Sequence, residues 1–318
     1  MKSSQRLNHP SDKLVAEIAW LYYIKGLTQG DVAKQKSLSR PTVISYLKLA
    51  RDRGIVNIKL APEHLRLNDL TDSLKERFTL ENVHVVPDIE GSARDQTIAV
   101  GEVAAHLLPD FLEPGDQLGV SWGETISHVA DTTPHWPIKD LTVRQLIGSM
   151  ANPLMITAES CTTEIARRMS AFCVNMNAPA VCSNIELANA LREEPIINEQ
   201  LASLKQCNKA IFSLSPCVPD THVVHFKVAT KPEIRTYQKQ GAVCILVGRF
   251  LDAEGNIVSG ELDDRLFSVK LSDLKKMTGF LVVSGRHKSQ ATLAALRGGY
   301  VQHLVLNTSL AEDILKSS

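Results

Sequence analysis

The chain has 318 residues, 44% of them hydrophobic and 22% charged, enough to bury a large core in about two domains. Its formal charge is zero, but residues 1–60 hold eleven Lys and Arg against four Asp and Glu, leaving 24 against 31 in the rest; this excludes nucleic-acid binding along the whole length and assigns attraction for phosphate to a basic head. No apolar run reaches the roughly 20 residues of a bilayer span, residues 1–10 are too polar for a signal peptide, and the six cysteines are dispersed without CxxC pairs or finger-spaced histidines, so a cytoplasmic protein with reduced thiols and neither metal nor cofactor is expected.

The segment from Ala19 to Lys59 has the spacing of a helix-turn-helix. Gln29 to Gln35 is the predicted first helix and Lys36 to Leu38 the turn. Ser39 is the predicted N-cap of a second helix, Arg40 to Arg51, with Pro41 in its first turn. Val43, Leu47 and Ala50 fall at i, i+4 and i+7, so one face packs inward. The residues expected to serve DNA are Thr28, Gln29, Ser39, Arg40, Thr42, Ser45, Tyr46, Lys48 and Arg51, with the second helix in the major groove.

Residues 61–80 read as a linker and helix in which Leu65, Leu67, Leu70 and Leu74 pack on a neighbour or a second subunit. Residues 81–318 then alternate between strand and helix, which predicts an α/β domain with a parallel sheet covered by helices. In order come VHVVPD, a helix from Gln96 to Leu112, QLGVSW, a helix from Glu124 to Ala130, and LTVRQLI. Helices follow at Glu159 to Phe172 and Ile185 to Cys207, then the strand KAIFSL. GAVCILVGRFLD and NIVSG read as a hairpin around Ala253 to Gly255. FLVVSG, a helix from Lys288 to Leu296, HLVLN and a helix from Leu310 to Lys316 close the chain.

Two loops between a strand and a helix suit an anion. In GVSWGETI, Ser121, Gly123 and Thr125 stand where free amides and the helix dipole converge, while Glu124 partly offsets that field. In SGRHK, Arg286, His287 and Lys288 cluster at a helix start, where cations are unfavourable unless an anion joins them. Both loops follow parallel strands, so one pocket beyond the strand ends is expected. Cys161 with His128 has no local support as a nucleophile and base.

The segments IAWLYYIKGLTQGDVAK, SRPTVISYLKLARDRGIV, EPGDQLGVSWGETI, GRFLDAEGNIV and LAALRGGYVQHLVLNTSLAEDIL together resemble, over essentially the whole chain, the SorC-type (SorC/DeoR-like) sugar-sensing transcriptional regulators of bacteria. The resemblance implies an N-terminal helix-turn-helix joined to an effector domain with the fold of sugar-phosphate isomerases and deaminases. It also implies a homodimer or homotetramer on a palindromic double-stranded operator, and a sugar or polyol phosphate as effector. Carried over by position, the phosphate cradle corresponds to Ser121, Trp122, Gly123, Glu124 and Thr125, a second loop to Gly148, Ser149 and Met150, and the late lysine to Lys288. Asp252 and Arg286 complete the expected effector set.

Departures from the family pattern fall in the pocket. Cys244, Ile245 and Leu246 stand where the family has Gly-Asp-Ile, so a carboxylate that holds sugar hydroxyls is replaced by isoleucine. An unpaired polar group in a closed site costs about 1–3 kcal/mol, or roughly 5- to 150-fold in polyol affinity. Gly148-Ser149 and Gly285-Arg286 stand for Gly-Gly pairs, and Ser213 to Pro216 for a glycine-rich strand end. In the DNA reader, Lys36 replaces a buried leucine, Ser37 a turn glycine and Ser45 an arginine. A metabolite-controlled regulator is the leading expectation, with a less hydroxylated effector or weakened sensing. The alternatives are a ligand-independent DNA-binding oligomer and an enzyme of the isomerase or deaminase type using Glu124, Asp252, His287 or Lys288.

Overall fold

The computed structural model describes residues 10–56, 62–150 and 157–317. It divides into two compact units, Met1–His64 and Leu65–Ser318.

The first unit is helical. Asp12–Ala19 continues through a π-turn at Trp20–Ile24, followed by Gln29–Gln35 and Arg40–Asp52. Side-chain caps set each α-helical start: Ser11 accepts from the Leu14 amide, Thr28 from Asp31, and Ser39 from Thr42. Val15, Ile18, Leu21, Val32, Ala33, Val43, Leu47 and Ala50 form one buried cluster, so the i, i+4, i+7 stripe of the last helix is what fastens it to the others. Lys36, expected to stand in place of a buried leucine, pairs with Glu17, and Arg53 reaches Asp12 at 2.6 Å. Ser37 takes the left-handed conformation at φ 51° that a turn glycine would adopt without strain.

The second unit is built on a seven-stranded, all-parallel sheet in the order β1-β11-β10-β5-β2-β3-β4. The strands are β1 Asn82–Val86, β2 Gln117–Val120, β3 Thr142–Gln145, β4 Phe172–Val174, β5 Lys209–Phe212, β10 Thr278–Val283 and β11 His303–Asn307. From β2 the chain proceeds through β3 to β4 on one side, then from β5 through β10 to β11 on the other. The order therefore reverses between β2 and β5, which opens a crevice beyond their carboxyl ends. A small antiparallel sheet is formed by β6 Leu214–Pro216, β7 Cys244–Leu246, β8 Arg249–Leu251 and β9 Ile257–Val258. The buried strand faces pack against helices on both sides, as a parallel sheet requires.

Several boundaries differ from the sequence expectation for identifiable reasons. KAIFSL divides at Ser213, with β5 in the large sheet and β6 in the small one. GAVCILVGRFLD folds back on itself as β7 and β8 around Val247 and Gly248, both at positive φ (50° and 80°). The expected helix Ile185 to Cys207 breaks at Pro195 into Ile185–Glu193 and Pro195–Ser203, because the proline has no amide for the preceding turn. The expected helix to Phe172 stops at Arg168, and Phe172 opens β4. In the helix Pro62–Phe78, Leu74 is fully buried and Leu70 half-buried against the core of the second unit; the Leu65 side chain lies outside the described residues.

Candidate functional site

In the first unit, the outer face of Arg40–Asp52 carries exposed Arg40, Ser45, Lys48 and Arg51. The Arg40 Nε donates to Gln29 Oε1 at 3.4 Å, so these two predicted residues meet across the turn. Thr28, Ser39 and Thr42 are engaged locally: Thr28 caps its helix and donates to Asp31 at 2.6 Å, lowering the acid's pKa, and the Ser39 and Thr42 hydroxyls meet at 2.7 Å. Tyr46 is half-buried against the apolar cluster. The arrangement offers cations and small polar groups on one helix face, the chemistry that contacts phosphates and base edges.

In the second unit, the loop leaving β2 defines a recess at the β2/β5 reversal. Gly123 sits at φ 114°, ψ 170°, a region open essentially to glycine alone, and starts the helix Glu124–Thr132 without any side-chain cap. The first amides of that helix are thereby left for another acceptor. Ser121 and Thr125 are buried beside them, and Trp122 is fixed edge-on against Phe226, centroids 5.0 Å apart. The inner recess, about 70 Å³, is lined by these residues with Ser213, Ser215, Ile245, Val247 and Lys288. It adjoins an outer cleft of about 470 Å³ that includes Arg94, His222, His287 and Lys288.

Lys288 is the cation of the inner recess. Burial pushes its ammonium down to about 8, with Glu124 pulling in the other direction, and its side chain has no hydrogen-bond or ion-pair partner among the described residues. Glu124 lies 3.4 Å from Arg94 and 4.0 Å from His128. His222 and His287 are both lowered, first by burial and then by the Lys288 charge. A loaded anion would replace the missing partner of Lys288 and accept from the uncapped amides.

The structure thus brings together Ser121, Trp122, Gly123, Glu124, Thr125 and Lys288, and places the remaining expected effector residues elsewhere. Gly148 approaches the Pro179 carbonyl so closely that a Cβ would lie 2.5 Å from its oxygen. Ser149 is consumed by bonds with Ala178, Ala180 and Met176, and Met150 packs on the core. Asp252 caps its own turn, accepting from the Glu254 and Asn256 amides at 3.0 and 2.8 Å. Arg286 turns outward to Asp313 at 2.6 Å, so the basic cluster is split rather than shared. Thr97, His222, Val223 and Val247 line the recess without having been singled out; they arrive from separate segments. Cys161 is pushed up to about 12 by burial, which keeps it an inert thiol.

A ligand cleft at the switch point of a parallel sheet, on a chain headed by a basic helix-turn-helix, defines the class of effector-controlled DNA-binding regulators. Residues 63–316 match the family model described as “Putative sugar-binding domain”. The chain belongs to the SorC/DeoR-type sugar-binding transcriptional regulators. It is 34% identical over 96% of its length to YjhU of Escherichia coli K12, an uncharacterized transcriptional regulator, covering 95% of that protein. It is 28% identical to the deoxyribonucleoside regulator of Bacillus subtilis 168, covering 97% of this chain and 99% of the relative. Its fold matches full-length SorC, the sorbitol operon regulator of Klebsiella pneumoniae, with a TM-score of 0.74 at 24% identity over 95% of this chain and 98% of that one. The family consists of transcriptional regulators, so the isomerase or deaminase alternative is set aside. No helix among the described residues is long and apolar enough to cross a membrane.

Proposed function

We propose that the recess takes the phosphate of a sugar or polyol phosphate, and that its occupancy shifts the affinity of a cytoplasmic homodimer or homotetramer for a palindromic operator. The observation that carries this reading is Lys288, half-buried and without a side-chain partner among the described residues, beside the uncapped start of Glu124–Thr132. Ser121, Gly123, Thr125 and Lys288 hold the anion, Trp122 walls the recess, and Glu124 accepts from a ligand hydroxyl. Arg40, Ser45, Lys48 and Arg51 contact the operator. Residues 1–60 read DNA, residues 61–80 join the copies, and residues 81–318 sense. Coupling requires that the metabolite bind the two DNA-affinity states unequally.

A thermal-shift screen against sugar phosphates, polyol phosphates and their unphosphorylated counterparts tests the reading, followed by operator binding with each hit. Stabilisation of about 2.7 kcal/mol is expected at a hundredfold excess of ligand over its Kd. Phosphorylated ligands should stabilise and change operator affinity. Stabilisation by unphosphorylated sugars alone would refute the anion site, and no stabilisation by any ligand would favour an oligomer with a silent recess.

A further inference from the structure

Ile44 is a large apolar side chain on the outer face of Arg40–Asp52, 47% exposed. Isolated exposed apolar residues are ordinary on protein surfaces; its placement is what distinguishes this one. At about 100° per residue, Ile44 lies roughly 40° around the helix from both Arg40 and Lys48, one turn away on either side. Val43, Leu47 and Ala50 lie about 60–120° around the helix from it, all to one side, and turn into the unit's core, so Ile44 stands outside the buried stripe. Ser45, its exposed neighbour, is small. Ile44 therefore projects between two cations from the face that carries the DNA-contacting chemistry, and it has no donor or acceptor with which to contact phosphate.

In the major groove the apolar feature of a base edge is the C5 methyl of thymine. We propose that Ile44 reads a thymine methyl in each half-site, beside the contact made by Arg40. The proposal rests on the reading that Arg40–Asp52 enters the major groove. Lys48, as a point charge, holds phosphate and carries no base preference. The methyl and the isoleucine side chain exclude water from each other, and burying one methyl is worth about fourfold in affinity.

The test uses the full-length protein and a duplex selected from a random-core library, with affinity read by fluorescence anisotropy at fixed salt. Each thymine is replaced singly by deoxyuridine, which keeps base pairing and lacks the methyl. One thymine per half-site is expected to weaken wild-type binding by about fourfold when replaced. Ile44→Ala should bring that thymine-to-uridine ratio near one, and Ile44→Val should leave part of it. Lys48→Ala should weaken all duplexes alike and preserve the ratio. Absence of any methyl-sensitive position in the wild type, or an unchanged ratio in Ile44→Ala, would overturn the proposal. If Arg40→Ala, Ile44→Ala and Lys48→Ala all bind as the wild type does, the proposal and the groove reading beneath it fall together.

Discussion

The lysine in the recess ties effector affinity to pH in a definite direction. Burial holds Lys288 at about 8, against an ordinary 10.5, and Glu124 opposes that shift. A dianionic phosphate binds the protonated form, so apparent affinity weakens in proportion to 1 + 10^(pH − 8). Between pH 7 and pH 9 this amounts to about a tenfold loss. The ligand does not contribute, because a phosphate monoester with its second pKa near 6 is already dianionic there. Nor do His222 and His287, whose pKa values are lowered from 6.5 and which are neutral throughout that window. Stability of the free protein has the opposite slope. The unfolded chain holds a proton that the folded one lacks between about 8 and 10.5, so this group's penalty is full below 8 and is relieved as pH rises through the window. Calorimetric titration with the tightest phosphorylated hit, from pH 7 to 9.5 at constant ionic strength, should show the tenfold fall. Lys288→Arg, charged at every pH used, should flatten it, and Lys288→Met should abolish tight binding. A flat wild-type profile, or the same slope in Lys288→Arg, would show that Lys288 is not the anion's partner.

Gly123→Ala meets no atom within 4 Å of its Cβ, so its cost is the backbone alone, about 1–3 kcal/mol; a lowered Tm and weaker effector binding are expected, and a wild-type Tm would contradict the strain argument. Ile245→Asp restores a hydroxyl acceptor to the recess wall. Competition titrations should show hydroxyl-rich polyol phosphates gaining about 5- to 150-fold over deoxygenated analogues, and an unchanged preference would remove position 245 from ligand selection. Arg40→Ala should weaken operator binding and reduce the salt slope by about one. Equal affinity to wild type at several salt concentrations would exclude the contact.

The helix-turn-helix was legible because its signals are local: the Ser39 cap, Pro41 in the first turn and the Val43, Leu47, Ala50 stripe all lie within twelve residues. The cradle after β2 was legible for the same reason, since Gly123 and the helix it starts are adjacent. The β7/β8 turn was not, because Val247 is a β-branched residue at positive φ and offers none of the usual turn chemistry. Arg286 was misplaced because its partner, Asp313, lies on the last helix, and ion pairs across such distances leave no pattern in the chain. Thr97, His222 and Val223 belong to the recess only through the fold. The break at Pro195 was different: its signal was present, and the apolar periodicity around it outweighed the proline.

The pairing of β1 also bears on how the protein is made. Asn82–Val86 borders only β11, His303–Asn307, with Val86 opposite Asn307. At a translation rate of roughly 5–20 residues per second, about 10–40 s separate synthesis of the two strands. The helical head can mature soon after it leaves the ribosome, as local contacts allow, whereas β1 has no sheet partner until β11 has been made. The helical head can therefore fold while β1 still lacks its partner, an interval in which that open strand edge invites mispairing.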